Sequence, residues 1–194
     1  MKAKFDYKGK PVSIHIMLSI IIPSRGGDNL KDCLKAIDEN TVNYEVIVEK
    51  DGGFAEALNN GVKKAKGDHI ILLHDDILVT KGWADKLATV GAFSVKELNV
   101  GWVWGGFYPG SYCTDHKKNP DYSMFLCISK KVAKKIFPLD ETFTNPWCQD
   151  VDMGFTVRTA GYKIKCLPGK IIHNWAGGEH TGSNEAYLKE KWGI

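Results

Sequence analysis

Arginine is almost missing from this chain. Of 26 basic residues only Arg25 and Arg158 carry a guanidinium; the other 24 are lysines. Lysine suits a solvated surface, whereas the planar fork of arginine suits carboxylate or phosphate. Each of the two is therefore a candidate either for a binding site or for a structural ion pair. A surplus of one charge is missing as well. A formal net charge of +3 leaves no electrostatic footprint for nucleic acid. Paired cysteines are absent too: Cys33, Cys113, Cys127, Cys148 and Cys166 are odd in number, and no two are spaced Cys-x-x-Cys. That pattern indicates neither a zinc ribbon nor a disulfide framework. Cys127 and Cys166 lie in apolar runs and read as small buried hydrophobes, and a reducing, cytoplasmic setting is the expectation that follows. No run approaches the ~20 apolar residues that span a bilayer. Lys2, Lys4, Lys8 and Lys10 precede an apolar stretch in the manner of a secretory leader. Ser13, His15 and Ser19 interrupt that stretch, however, and no small-residue cleavage site follows. A soluble protein is expected.

At 194 residues the chain is long enough for one domain with a core of its own. Residues 1–16 are lysine-rich, with an extra edge strand expected near Val12 to Ile16. From Met17 the pattern is regular. The run Leu18-Ser19-Ile20-Ile21-Ile22, ended by Pro23, predicts a strand buried on both faces. A helix over 29–40 follows, with Leu30, Cys33, Leu34 and Ile37 at helical spacing. A strand over Tyr44 to Glu49 leads to Gly52-Gly53 and to a helix over 54–66, with Gly67 as its stop. A third strand runs from His69 to Leu73. This alternation predicts a parallel α/β sheet. The second half is less regular. A helix is predicted over 83–98 and strands over 100–108 and 122–128, separated by the loop 109–121. Ser129 caps a short helix to Phe137, and a helix over 149–160 ends at Gly161. Strands near 162–167 and 170–173 and a tail helix over 184–192 complete the chain.

In parallel sheets ligands gather at the carboxyl ends of strands. Pro23-Ser24-Arg25, Lys50-Asp51-Gly52-Gly53 and His74-Asp75-Asp76 all fall at such ends. Asp75 and Asp76 suit a hard divalent cation with substrate phosphates, or else one of them caps a helix starting near Gly82. Asp150 and Asp152 open a helix, where the dipole favours negative charge for structural reasons alone. Arg158 is placed to pair with one of these carboxylates or with a phosphate. His173 ends an apolar strand, a position that suits a ligand or a satisfied structural histidine; His180 is a weaker case of the same kind. Trp102, Trp104, Tyr108 and Tyr112 suit an aromatic sugar platform or plain core packing. Lys130, Lys131, Lys134 and Lys135 form a basic face that suits an anionic acceptor, a membrane surface or simply water.

The ordered series Pro138-Leu139-Asp140-Glu141-Thr142-Phe143, Gln149-Asp150-Val151-Asp152, Arg158, Gly161-Tyr162, Pro168 and His173 carries a wider likeness. It stands downstream of Leu18 to Ser24, Val48 to Gly53 and Asn59-Asn60-Gly61 to Leu73. Over residues 17–175 the chain resembles the family 2 glycosyltransferases of the GT-A fold. The resemblance implies an α/β fold with a Rossmann-type nucleotide-binding half, a central mostly parallel sheet flanked by helices, and a smaller mixed acceptor half. The divisions would be 1–16 as an extension, 17–98 for the nucleotide-sugar half, 99–175 for the acceptor half and 176–194 as a tail. It implies Mn²⁺ or Mg²⁺ held by Asp76 and His173. Pro23, Ser24, Arg25 and Asp51 would line the nucleotide pocket, with Asp75 in ribose contact. Asp150 would be the general base of an inverting transfer from a nucleoside diphosphate sugar to a glycan, lipid or protein acceptor.

Two positions depart from the family pattern. His74 stands where the first Asp of Asp-x-Asp is usual, and Gln149 where a Glu usually precedes the base. Loss of that like charge leaves Asp150 easier to ionise. Two other readings compete. A catalytically inactive glycan- or nucleotide-binding module would explain both departures. A sugar nucleotidyltransferase would want a basic glycine-rich phosphate loop, of which Ser24-Arg25-Gly26-Gly27 is a faint echo.

Overall fold

The computed structural model describes residues 17–50, 52–84, 100–105, 125–143, 148–168, 171–173 and 182–194. The expected edge strand over 12–16, Asp51, most of the expected helix over 83–98, Tyr108, Tyr112, Cys113 and His180 lie outside the described residues.

Strand β1, Leu18–Pro23, is apolar apart from the buried Ser19 because both of its faces are covered. Its alternate residues serve opposite layers: Ile20 and Ile22 join one buried cluster and Ile21 the other. Gly26 and Gly27, at φ 95° and 100°, make the turn into α1, Asp28–Asn40, a backbone that side chains rarely adopt. Helix α1 buries Leu30, Cys33 and Ile37. Strand β2, Tyr44–Glu49, is followed by α2, Phe54–Lys64, and by β3, His69–Leu73.

Helix α2 stops earlier than its sequence predicts, and Gly67 is not its stop. Ala65 turns extended at φ −63°, ψ 128°, and its N–H satisfies the carbonyls of Gly61 and Val62. Gly67 is needed for close approach instead. A Cβ there would lie 2.7 Å from both the Met17 carbonyl oxygen and the Ser19 nitrogen.

Beyond β3 come β4 (Ile77–Val79), β5 (Val100–Gly105) and β6 (Phe125–Ser129). Helices α3 (Lys130–Ile136) and α4 (Gln149–Thr159), strands β7 (Lys163–Pro168) and β8 (Ile171–His173), and helix α5 (Gly182–Trp192) follow. The main sheet has the order β2-β1-β3-β6-β5-β7. Five of its strands run one way and β6 runs against them. The sheet is therefore mostly parallel, as expected. Strand β4 is not foreshadowed in the sequence, since three residues are too few to show a period. It pairs antiparallel with β8 beside the main sheet. The Ser129 cap is as read, its hydroxyl accepting from the Val132 N–H at 3.3 Å. All four lysines of α3 are exposed.

Helices cover both faces. Leu30, Cys33 and Ile37 of α1, with Ile77, Val79 and Trp83, pack on Ile20, Ile22, Ile71, Leu73 and Cys127. On the other face α2, α3 and α4 contribute Leu58, Val132, Ile136, Met153 and Val157 against Ile21, Ile70, Leu72 and Ile128. From β1 the chain winds outward to β2 and then returns across β1 to β3. The reversal point, where a doubly wound sheet opens its crevice, thus lies between β1 and β3. No described helix is long and apolar enough to cross a membrane.

Candidate functional site

The carboxyl ends of β1 and β3 meet at that reversal point, and polar residues just beyond the two strands are joined to each other. The Ser24 hydroxyl donates to Asp75 Oδ2 and accepts from the Gly26 N–H at 2.9 Å. The Ser24 N–H in turn donates to the Glu49 carbonyl at the end of β2, 2.9 Å away. Ser24 is buried, Pro23 half-buried and Arg25 exposed. His74 to Ile77 form a tight turn closed by the Ile77 N–H on the His74 carbonyl at 3.3 Å. From below, the Cys33 thiol donates to the same carbonyl at 3.8 Å. Burial, and then the charges of Asp75 and Asp76, push that thiol up to about 12, so Cys33 is an inert support beneath a negative turn. The His74 ring stands edge-on to Phe54, with centroids 5.1 Å apart.

Asp76 and His173 come from distant stretches of sequence. Antiparallel pairing of β4 with β8 sets the His173 backbone opposite Ile77, the residue after Asp76. Asp76 itself is half-buried, with Oδ1 closed off from solvent. Among the described residues no three His, Cys, Asp or Glu side chains converge as a self-sufficient metal cage. One carboxylate and one imidazole completed by substrate phosphates is a set that fits Mg²⁺ or Mn²⁺, because such ions usually take few protein ligands.

The opposite wall begins at α4. Helix α4 feeds β7 through Gly161, which is at φ 85° and donates to the Arg158 carbonyl at 2.9 Å. Because β7 runs toward the carboxyl rim, the first turn of α4 lies at that rim and its last turn at the far side. Asp150 is in the first turn, half-buried, with Oδ1 accepting from the Val151 N–H at 2.9 Å. Arg158 is in the last turn, about 12 Å further along the helix axis, away from the rim where a bound phosphate was expected.

Asp152 faces the other way. It is 1% exposed, and its Oδ1 accepts from Lys191 Nζ at 2.8 Å and Trp192 Nε1 at 2.8 Å. The structure thus separates two carboxylates that the sequence presents as a pair. Asp150 stands at the rim, whereas Asp152 anchors α5.

Between them the loop after α3 is pinned from both sides. Asn59 of α2, 2% exposed, donates to the Leu139 carbonyl at 3.0 Å and to Glu141 Oε1 at 2.8 Å, and accepts from the Leu139 N–H at 2.7 Å. Asp140 accepts from Lys191 Nζ at 2.7 Å, the Thr142 N–H at 2.9 Å and the Tyr187 hydroxyl at 2.8 Å. Burial alone would raise this carboxyl. The hydrogen bonds from Lys191, Thr142 and Tyr187 outweigh it and hold Asp140 well below the ordinary carboxylate range. Gln149 is buried and donates through Nε2 to the Asp140 carbonyl at 3.3 Å. An ionised glutamate at that place has no proton to give, so the amide suits this loop.

The roles of Tyr187, Lys191 and Trp192 were not apparent from sequence. Their one local signal is that Tyr187 and Lys191 are four apart and therefore share a helical face. Asp51 lies outside the described residues, and of His173 only the backbone is described.

Comparison with known proteins gives two matches of different kinds. The profile described as glycosyl transferase family 2 matches residues 19–148. Among solved structures, GalNAc-T7 with UDP, GalNAc and Mn²⁺ superposes with a TM-score of 0.66 at 13% identity. The match covers 90% of this chain and 48% of that one, so the chain spans about half the length of that structure. At this identity the likeness establishes the fold, which is GT-A-like. No curated protein matches.

Proposed function

Because the chain belongs to glycosyl transferase family 2, we propose that it transfers a sugar, with inversion, from a nucleoside diphosphate sugar to an acceptor hydroxyl. The observation that carries this reading is the Ser24–Asp75 hydrogen bond across the reversal point. It builds a closed, negatively charged turn where a doubly wound sheet receives a nucleotide. Uridine diphosphate with Mn²⁺ in the similar structure supports UDP as the first donor nucleotide to test.

In this reading Pro23, Ser24 and Arg25 line the nucleotide pocket with Asp51, and Asp75 takes the ribose while oriented by Ser24. Asp76 and His173 hold the divalent cation. That ion supplies neutralisation of the charge that develops on the leaving diphosphate. Asp150 accepts the proton of the acceptor hydroxyl as its oxygen bonds to the anomeric carbon. The bond from that carbon to the diphosphate oxygen breaks on the opposite face, and the nucleoside diphosphate leaves. Gln149 keeps a second negative charge away from Asp150, which favours the ionised, proton-accepting form.

Calorimetric titration of UDP and GDP with and without Mn²⁺, on wild type and Asp76→Ala, tests the donor half. Binding that needs both the metal and Asp76 is expected. Binding that is unchanged in Asp76→Ala removes Asp76 from the metal site, and no binding of any nucleotide overturns the donor reading.

A further inference from the structure

Among the described residues, helix α5 is tied to the loop after α3 and to helix α4, which carries Asp150. Lys191 Nζ lies 2.7 Å from Asp140 Oδ2 and 2.8 Å from Asp152 Oδ1, joining a loop carboxylate to a helix carboxylate. Trp192 donates to the same Asp152 oxygen and stacks on Phe155, with centroids 5.0 Å apart. Tyr187 donates to Asp140 and meets Phe143 edge-on at 5.2 Å. Leu188 closes the contact in a small buried cluster with Phe143 and Cys148.

This has a geometric consequence. Successive residues of an α-helix are about 100° apart around its axis, so residues two apart point about 200° apart. Asp150 and Asp152 occupy the same turn on opposite sides. Fixing the buried Asp152 carboxylate fixes the rotation of that turn, and with it the direction in which Asp150 leaves the helix. The turn is held as well by Gln149, which donates to the Asp140 carbonyl, and by Met153 in the core. Its N-cap, Cys148, is in the left-handed region at φ 66° and provides no side-chain cap. Side-chain capping normally steadies a helix start; here the clamp on Asp152 takes that place.

We propose that Lys191 is a positioning residue for transfer, and that α5 is a brace aiming Asp150 at the acceptor. The brace rests on the reading of Asp150 as the base, but its mechanical part stands apart from it. Lys191 touches neither substrate nor reacting atoms; it acts through Asp152.

Two measurements on Lys191→Met test the brace together. The first is amide hydrogen exchange at Val151, Asp152 and Met153. The second is UDP release from a panel of UDP-sugars with Mn²⁺, with water as acceptor. Exchange at those amides is expected to accelerate at least tenfold while the β1–β3 amides keep their protection. The kcat for UDP release should fall roughly 10- to 100-fold, the scale of a misplaced reacting group, with KM for the sugar nucleotide unchanged. Lys191→Arg, which keeps the charge and the donors, should restore most of both. Trp192→Phe keeps an aromatic ring against Phe155 but loses the N–H and part of the ring area; it should move both readouts the same way by less, and it carries the test if Lys191→Met does not fold.

Unchanged exchange overturns the brace. So does faster exchange with unchanged kcat, and so does a raised KM at constant kcat, which would make α5 part of the donor site. Asp150→Asn run alongside separates the two proposals. If it releases UDP at the wild-type rate the base assignment fails, whatever the exchange data say. If it is slow while Lys191→Met is not, only the brace fails.

Discussion

Asp150 and Asp152 are two letters apart and chemically identical, and the fold gives them opposite tasks. Asp152 sits 1% exposed against Lys191 and Trp192, so its charge is committed to holding α5. Asp150 is half-buried at the rim, on the side of the helix turned away from Asp152. Asp150→Asn keeps the size and the contact with the Val151 N–H but removes the basic oxygen. It should lower the transfer rate by roughly 10²–10⁴-fold, the usual contribution of a positioned base. Nucleotide affinity by calorimetry should stay at the wild-type value. An equal loss of affinity would place Asp150 in the donor pocket instead. The sequence shows both carboxylates but not which is which, because the deciding partner, Lys191, lies 39 positions beyond Asp152 and belongs to a helix with no strong apolar stripe. Ser24 and Asp75 were legible as strand-end residues; their mutual hydrogen bond was not, since it depends on β1 and β3 lying side by side.

At the scale of elements, legibility follows from how much each segment decides locally. Strands β1 and β3 were readable because their largely apolar runs describe strands covered on both faces, and the half-buried edge strand β2 because Val46-Ile47-Val48 is a β-branched run. Strand β4 was hidden because three residues have no period and its partner β8 is about a hundred residues away. Gly67 was misread because a glycine after a helix normally signals a left-handed stop, whereas here its missing side chain admits the β1 backbone. Gly61 makes the same point within α2. A Cβ at that position would lie 2.3 Å from Ile21 Cγ2, and Ile21 is fully buried, so it has nowhere to retreat. Gly61→Ala would gain helix propensity worth about 1 kcal/mol. Overpacking between α2 and β1 should cost about 1–3 kcal/mol, leaving a net loss of up to about 2 kcal/mol, read as a lower urea midpoint. An equal or higher midpoint would show that α2 can lift from the sheet without cost. Since α2 carries Asn59, which pins the loop before α4, such a lift would also loosen that loop.

Over the whole molecule, the two apolar clusters lie on the faces of the sheet, while α5 is attached chiefly by charge and by aromatic edges. Acid should therefore release the tail before it unfolds the sheet. Asp140 is the group to follow. Its folded-state pKa lies below the ordinary 3.8, so between the two values the unfolded chain binds a proton that the folded one does not. Stability then rises with pH through that window. Its contribution is fully present above the ordinary carboxylate range and is lost as pH falls through the depressed native value. Lys191 behaves conversely. Burial opposes its charge, but hydrogen bonds to Asp140 and Asp152 raise its pKa above the ordinary 10.5. Its contribution is complete below that value and is lost only in strong alkali. Docking of α5 should therefore be flat across neutral pH and fail on the acid side. The Trp192 share of the fluorescence, taken as the difference from Trp192→Phe because the chain has six tryptophans and followed from pH 7 down to about pH 2, should report release at a pH below the ordinary carboxylate range in wild type. Asp140→Asn keeps the shape and loses the charge, and its acid limb should be shallower, with docking weaker already at neutral pH. Superimposable curves for the two proteins would mean that the Asp140–Lys191 bridge contributes nothing to holding the tail. The attachment would then rest on the contacts of Lys191 and Trp192 with Asp152, the aromatic contacts of Trp192 and Tyr187, and the Leu188 cluster.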